Sequence, residues 1–74
     1  SDFKSEPELM DLFDKGMAQY TNMKFKKAAF YFKKVIAQNP EDTVSNLYLV
    51  RCKALLKNPP PDNWDGVYRN IINT

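Results

Sequence analysis

The chain has 74 residues, of which 43% are hydrophobic and 27% charged, a composition typical of one small soluble globular domain. Its net charge of +2 is too small to indicate a nucleic-acid partner, and we expect none. A single cysteine, Cys52, excludes an intrachain disulfide and favours a reducing compartment, and no apolar run reaches the ~18 residues of a membrane span. We therefore expect a cytoplasmic protein without direct membrane insertion.

The first predicted helix covers residues 6–21. Ser5 can cap its N-terminus, Glu8 can complete a capping box three residues later, and Pro7 is tolerated in the first turn. Apolar residues then recur at steps of three and four, which is typical of one buried helix face. This face comprises Leu9, Leu12, Phe13, Gly16, Met17 and Tyr20.

A second helix is predicted over residues 24–38, after a short break around Asn22. Asn39 and Pro40 end it, and because so few residues join the two helices they must lie antiparallel. The N-terminal 14 residues are mainly acidic and the next 20 carry only lysine charges, so we expect the two helices to pack without repulsion. The apolar face of the second helix comprises Phe25, Ala28, Ala29, Phe32, Val35 and Ile36.

A third helix is predicted over residues 43–57, with acids and a cap supplied just before Val44. Its apolar residues cover more than one face, so we expect neighbours on two sides. Three prolines after Asn58 forbid continuation of the helix. In the tail, residues 58–74, we expect a turn at Asp65–Gly66 and a short helix after it.

The spacing of particular residues across the first two helices is informative. Small residues alternate with aromatic ones in a fixed order, and a proline closes the series: Gly16, Tyr20, Phe25, Ala28, Phe32 and Pro40. This order resembles the tetratricopeptide repeat, a helix–turn–helix of ~34 residues. The resemblance implies that Gly16 and Ala28 allow close approach where the helices cross. It predicts an all-α domain over residues 1–74, namely this helix hairpin with a third helix and a tail packing back on it.

The match departs from the repeat at several positions. Leu12 stands where a larger residue is usual, and Val35 where alanine is usual late in the second helix. Met23 replaces the glycine between the helices, so we expect Asn22 to take the left-handed turn. One repeat and one further helix cannot bury their own faces. We expect the tail, led by Trp64, to cover the exposed side, with a homodimer as the alternative.

A narrower resemblance extends from Phe25 to Tyr68. It rests on six short elements in order: Phe25-x-x-Ala28-x-x-x-Phe32-x-x-Val35, Asn39-Pro40-x-Asp42, Tyr48-Leu49-x-Arg51-Cys52, Leu55-Leu56, Pro59-Pro60-Pro61 and Trp64-Asp65-Gly66-Val67. Together they resemble the C-terminal tetratricopeptide-like tail of bacterial class III adenylate and guanylate cyclases. The resemblance implies that this chain is a fragment of a longer signalling enzyme. No catalytic residue of that family lies at any matching position here.

The chain lacks the residues that catalysis at neutral pH most often uses. It has no histidine, one cysteine and only two glycines, which leaves no metal-ligand set, no activated thiol and no phosphate-binding loop. We therefore predict that this fragment is not an enzyme and holds no metal or cofactor.

The candidate binding surface is a groove, because the first helix of each tetratricopeptide repeat lines the concave side. The groove positions are Met10, Phe13, Met17, Tyr20, Leu47, Arg51 and Ala54. Arg51 is a candidate carboxylate contact for a bound peptide. The interpretation we prefer is that the chain's own tail fills the groove, with Trp64 or Tyr68 as the plug. Arg51 would then pair with Asp62 or Asp65.

The functional prediction is a protein-interaction or regulatory tail of a class III nucleotide cyclase, contacting a protein or peptide, its parent catalytic domain or a second copy. The alternative is a stand-alone tetratricopeptide adaptor unrelated to cyclases. A third hypothesis is an electrostatic nucleic-acid or membrane-surface contact through lysines of the second helix. A solvated outer helix face explains these lysines better, namely Lys26, Lys27, Lys33 and Lys34.

Overall fold

A computed structural model describes residues 4–69. They form three α-helices, α1 (Glu6–Thr21), α2 (Phe25–Gln38) and α3 (Thr43–Lys57), followed by a non-helical segment, and this part of the chain contains no strand. The all-helical class and the three predicted helices are confirmed. Only the start of α2 differs, by one residue.

The helix starts follow the predicted capping chemistry. Ser5 Oγ accepts the Glu8 N–H at 3.3 Å, and the Ser5 N–H donates to Glu8 Oε1 at 2.8 Å, which completes the capping box of α1. Asp42 caps α3, because its Oδ2 accepts the Ser45 N–H at 3.1 Å. These bonds satisfy N–H groups that have no partner inside the helix.

The turn between α1 and α2 differs from the prediction at one residue. Met23, not Asn22, takes the left-handed conformation, with φ at 62°. Asn22 has φ at −90°, and its side-chain amide donates to the Ala18 carbonyl at 2.9 Å at the end of α1. The Asn22 side chain therefore serves as a helix cap, and the left-handed position falls on the next residue. The Met23 side chain packs against the core, which offsets the steric cost of that conformation.

Helix α2 lies between the other two and packs against both. Its buried face supplies most of the core, namely Phe25, Ala28, Ala29, Phe32 and Val35. Gly16 on α1 is buried opposite Phe32, and a Cβ on Gly16 would stand only 2.7 Å from Cε1 of that ring. The close approach of α1 to α2 therefore rests on a glycine against an aromatic ring. Ala28, the predicted partner of Gly16, is fully buried one turn earlier in α2.

Candidate functional site on the inner face

Aromatic rings connect α1 with α3 on one side of the three helices, the side on which the tail packs; we call this side the inner face. The Tyr48 ring of α3 lies 5.0 Å from Tyr20 and 6.3 Å from Phe13, both on α1, measured between centroids. It also stacks on Phe32 of α2 at 5.6 Å with an interplanar angle of 25°. Edge-to-face and offset-stacked rings at these distances contribute beyond their buried area. All three helices thus meet at one aromatic cluster.

Trp64 of the tail covers one end of this cluster. Its ring lies 5.6 Å from both Tyr20 and Phe25 in T-shaped contacts. The indole Nε1–H donates to the Val67 carbonyl at 2.9 Å, so the polar atom of the ring is satisfied within the tail. Tyr20 is only 2% exposed as a result of this surrounding. The tail therefore does pack back on the helices, through the residue that the sequence indicated.

Arg51 does not pair with an acid of the tail, and the predicted bond to Asp62 or Asp65 is wrong. Its guanidinium lies between two rings instead, 5.2 Å from the centroid of Tyr48 and 5.1 Å from that of Tyr68. Cation–π contacts of this kind hold a planar guanidinium without a carboxylate. Tyr68 is therefore held over the groove by Arg51, as one of the two expected plugs.

Asp65 binds a partner closer in the chain. Its two carboxylate oxygens accept from Arg69 at 3.1 and 2.9 Å, and Oδ1 also accepts the Val67 N–H at 3.0 Å. The Arg69 guanidinium and this backbone bond lower the pKa of Asp65 to about 2. Gly66 between them has φ at 85°, where a side chain would be strained. The predicted turn at Asp65–Gly66 is confirmed.

No helix follows this turn up to residue 69, although a short one was expected there. The carbonyl of Val67 already accepts from Trp64, and the Asp65–Arg69 pair holds the segment in a compact non-helical loop. The rest of the expected helix, with Ile71 and Ile72, lies outside the described residues.

The predicted groove residues divide into two sets. Tyr20 and Arg51 lie under the tail, and Phe13 and Met17 pack against the core with part of their surface exposed. Met10 and Leu47 remain open to solvent, with 61% and 47% of their surface exposed. The structure thus brings Tyr20 and Arg51 together with the tail, while Met10 and Leu47 stay uncovered.

Two exposed apolar features extend beyond the binding surface predicted from the sequence, which included Leu47 but not Val44, Val50 or Phe30. Val44, Leu47 and Val50 follow one another at steps of three on α3, and all are about half exposed or more. We call these three residues the α3 strip. The sequence showed apolar residues on a second face of this helix, but only the exposed fractions in the structure show that about half of each side chain or more is open to solvent. Phe30 on α2 is likewise 54% exposed. The sequence pattern placed it off the buried face of α2 but did not indicate a binding role.

A cleft of about 820 Å³ opens between the end of α3 and the tail. The proline run and the tail rings line it, among them Pro60, Trp64 and Tyr68. Its side chains contribute one ionic pair, Asp65 with Arg69, which are already bound to each other. The cleft offers apolar contact and no arrangement of groups for proton transfer or covalent chemistry.

Reactive chemistry is not assembled elsewhere in residues 4–69. Burial raises the pKa of Cys52 to about 11, and its side chain is fully buried, so the thiolate is strongly disfavoured. No group of three metal-ligating side chains occurs in this part of the chain. None of the three helices has the length and hydropathy to cross a bilayer.

Comparison with protein families, with curated proteins and with solved structures gives no match to this chain.

Proposed function

We propose that this chain is a protein-interaction module that docks a partner protein on the α3 strip. The observation that carries the proposal is the position of this strip. One face of α3 is buried through Ser45, Cys52 and Leu55. Leu47 and Val50 lie on a different face, Val44 lies at the edge of the buried one, and each of the three has 46% or more of its surface exposed among residues 4–69.

The energetic argument is that an uncovered strip of this kind gains by association. Val50 has 63% of its surface exposed, Leu47 precedes it by three residues, and Val44 precedes Leu47 by three. Removing apolar surface from water contributes roughly 25 cal/mol per Å². A partner helix or sheet packed along α3 would gain this contribution. The predicted groove around Tyr20 and Arg51 is already occupied by Trp64 and Tyr68.

We further propose that the parent protein is a class III nucleotide cyclase and that its catalytic domain is the partner. The support is the ordered set of motifs from the second helix to the Trp-Asp-Gly-Val element. The tail loop makes use of this element in packing: Trp64 contacts the aromatic cluster, and Asp65 and Gly66 form the turn that aims it. The fragment itself supplies regulation or assembly, not catalysis, and it acts in the cytoplasm.

The experiment has two arms. Sequencing the parent gene upstream of Ser1 shows whether a cyclase domain precedes this chain; any other domain refutes the cyclase proposal and leaves the tetratricopeptide adaptor. In the second arm, the labelled chain is titrated with that upstream domain and followed by NMR. Shift changes should centre on the α3 strip, and Leu47→Ser with Val50→Ser should abolish them.

A control variant is available on another helix. Lys27 is exposed on α2, away from the α3 strip, so Lys27→Ser should leave the shift changes intact. Shift changes confined to α1, or equal loss with the control variant, would contradict docking on the α3 strip.

A further inference from the structure

The exposed side of α2 carries an aromatic residue in the middle of a basic surface. Phe30 is 54% exposed, with Lys26 four residues before it and Lys34 four residues after it. Lys34 Nζ lies 5.0 Å from the centroid of the Phe30 ring. We call Lys26, Phe30 and Lys34 the basic face. Residues on one helix at this spacing lie on the same side.

The exposed side of α1 carries the complementary arrangement. Met10 is 61% exposed, with Glu6 four residues before it and Asp14 four residues after it. We call these three residues the acidic face. The other two acids of the helix are already engaged, since Glu8 closes the capping box and Asp11 pairs with Lys15 at 3.1 Å.

Within residues 4–69 the charges of the two faces form no ion pair, and Lys34 contacts only the Phe30 ring of its own face. The ion pairs in residues 4–69 are Asp11–Lys15 and Asp65–Arg69, and each joins residues four apart in sequence. Neither includes a residue of the basic or the acidic face. Both faces therefore present their charges and their central apolar side chain outward.

We propose that a second copy of this chain docks its acidic face on the basic face of the first. Both faces repeat charge, apolar residue and charge at intervals of four residues, which is about 6 Å along a helix axis. Because each face is symmetric about its centre, the charges pair whether the helices run parallel or antiparallel. Met10 would then contact the Phe30 ring, a favourable sulfur–aromatic pairing. The interface uses α1 and α2, so it is independent of the α3 strip.

A single acidic–basic contact is head-to-tail and leaves each copy one face for another copy, whereas a two-fold pair would use both faces of each copy at once. One helix face buries less than the ~1,200 Å² of a stable standard-size interface, so the association is weak. Exposed charge pairs are also screened by salt. We expect oligomers at high protein concentration and low ionic strength, and monomers at high ionic strength.

The basic face alone would also suit an anionic lipid surface. The acidic face has the same spacing and the opposite charge, so a second copy can pair with both faces. An anionic membrane would attract only the basic face. Vesicles of phosphatidylserine and phosphatidylcholine provide the discriminating arm. Their binding by a chain that stays monomeric at low salt would overturn the proposal.

The main test is sedimentation velocity over a protein dilution series with two half-blocked variants. Phe30→Ser with Lys34→Gln removes the basic face, and Met10→Ser with Asp14→Asn removes the acidic face. Each variant should be monomeric alone, while a mixture of the two should give a one-to-one complex and nothing larger. The unmodified chain should associate at least about tenfold more weakly at ~1 M than at ~0.01 M salt, where the Debye lengths are about 3 and 30 Å.

Control variants change the same charges elsewhere. Lys53→Gln and Asp62→Asn alter exposed residues outside both faces and should leave association unchanged. Should the variant of the basic face lose its helical circular dichroism, Lys26→Gln with Lys34→Gln replaces it and keeps the Phe30 ring. A monomeric chain at low salt, self-association of either half-blocked variant, or a mixture that stays monomeric would each overturn the proposal.

Discussion

Replacing Gly16 by alanine tests the closest contact in the core. Two opposing effects decide the result. Alanine in a helix interior is favoured over glycine by about 0.8–1.0 kcal/mol. Against this, the new Cβ would stand 2.7 Å from Cε1 of Phe32, closer than such atoms approach in folded proteins, and 3.0 Å from Cζ. Overpacking of this kind costs about 1–3 kcal/mol.

The Phe32 ring has little room to move away. It is fully buried, stacked on Tyr48 at 5.6 Å and tilted against Phe13 at 5.6 Å. The steric cost should therefore exceed the helix-propensity gain. We expect Gly16→Ala to lower the free energy of unfolding by about 1 kcal/mol, which corresponds to a melting temperature about 4–8 °C lower in a domain of this size.

Urea unfolding followed by circular dichroism measures this change. Ala18→Gly, at an exposed position of the same helix, gives the propensity difference without a contact to Phe32. Combining Gly16→Ala with Phe32→Leu should recover stability relative to the sum of the single changes, because the smaller side chain removes the clash. A Gly16→Ala chain that is more stable than the original by about 1 kcal/mol would refute the reasoning.

Four further predictions concern the tail and the buried polar groups. Trp64→Ala should lower the free energy of unfolding by about 2 kcal/mol in urea melts, because the half-buried ring contacts the core; a change under ~0.5 kcal/mol would contradict tail docking. Ser45→Ala should raise it by about 1 kcal/mol, since Ser45 Oγ is buried without a partner in the described residues; a loss would show a missed bond. The Asp65 pKa is lowered from 3.8 to about 2, so its stabilising effect is present above pH 3.8 and is lost as the pH falls through 2; NMR titration should show this, and Arg69→Gln should return the pKa towards 3.8. Buried Cys52, with its pKa raised to about 11, should react with a thiol reagent only after unfolding, and rapid labelling of the native chain would contradict its burial.

The helices could be predicted from the sequence because burial imposes its period on them. The apolar face of α2, from Phe25 to Val35, recurs at helical spacing, and the Ser5 and Asp42 caps follow local rules. Residue spacing and local capping rules were enough to predict these features. Local chemistry also permits the Asp65–Arg69 pair, whose spacing of four residues is visible in the sequence.

The candidate site was less predictable because it depends on contacts between distant residues. Arg51 was assigned a carboxylate, yet two aromatic rings from different parts of the chain enclose it. The two stacking partners become neighbours only after the tail folds back. In the α1–α2 turn, Asn22 and Met23 competed for the left-handed position, and the bond of the Asn22 amide to Ala18 decided between them. Sequence patterns name such residues but do not rank their alternative partners.

The separation of charge along the chain bears on contacts between molecules as well as on the packing of α1 and α2. Opposite charges on α1 and α2 were expected to serve the packing of these two helices. Their contact is apolar, however, with Gly16 against Phe32, and no ion pair joins α1 to α2 in residues 4–69. Charges that form no ion pair within residues 4–69 remain available for contacts between molecules. Helix packing without repulsion needs no ion pair and remains one use of the pattern. The proposed self-association of the acidic and basic faces is a second use.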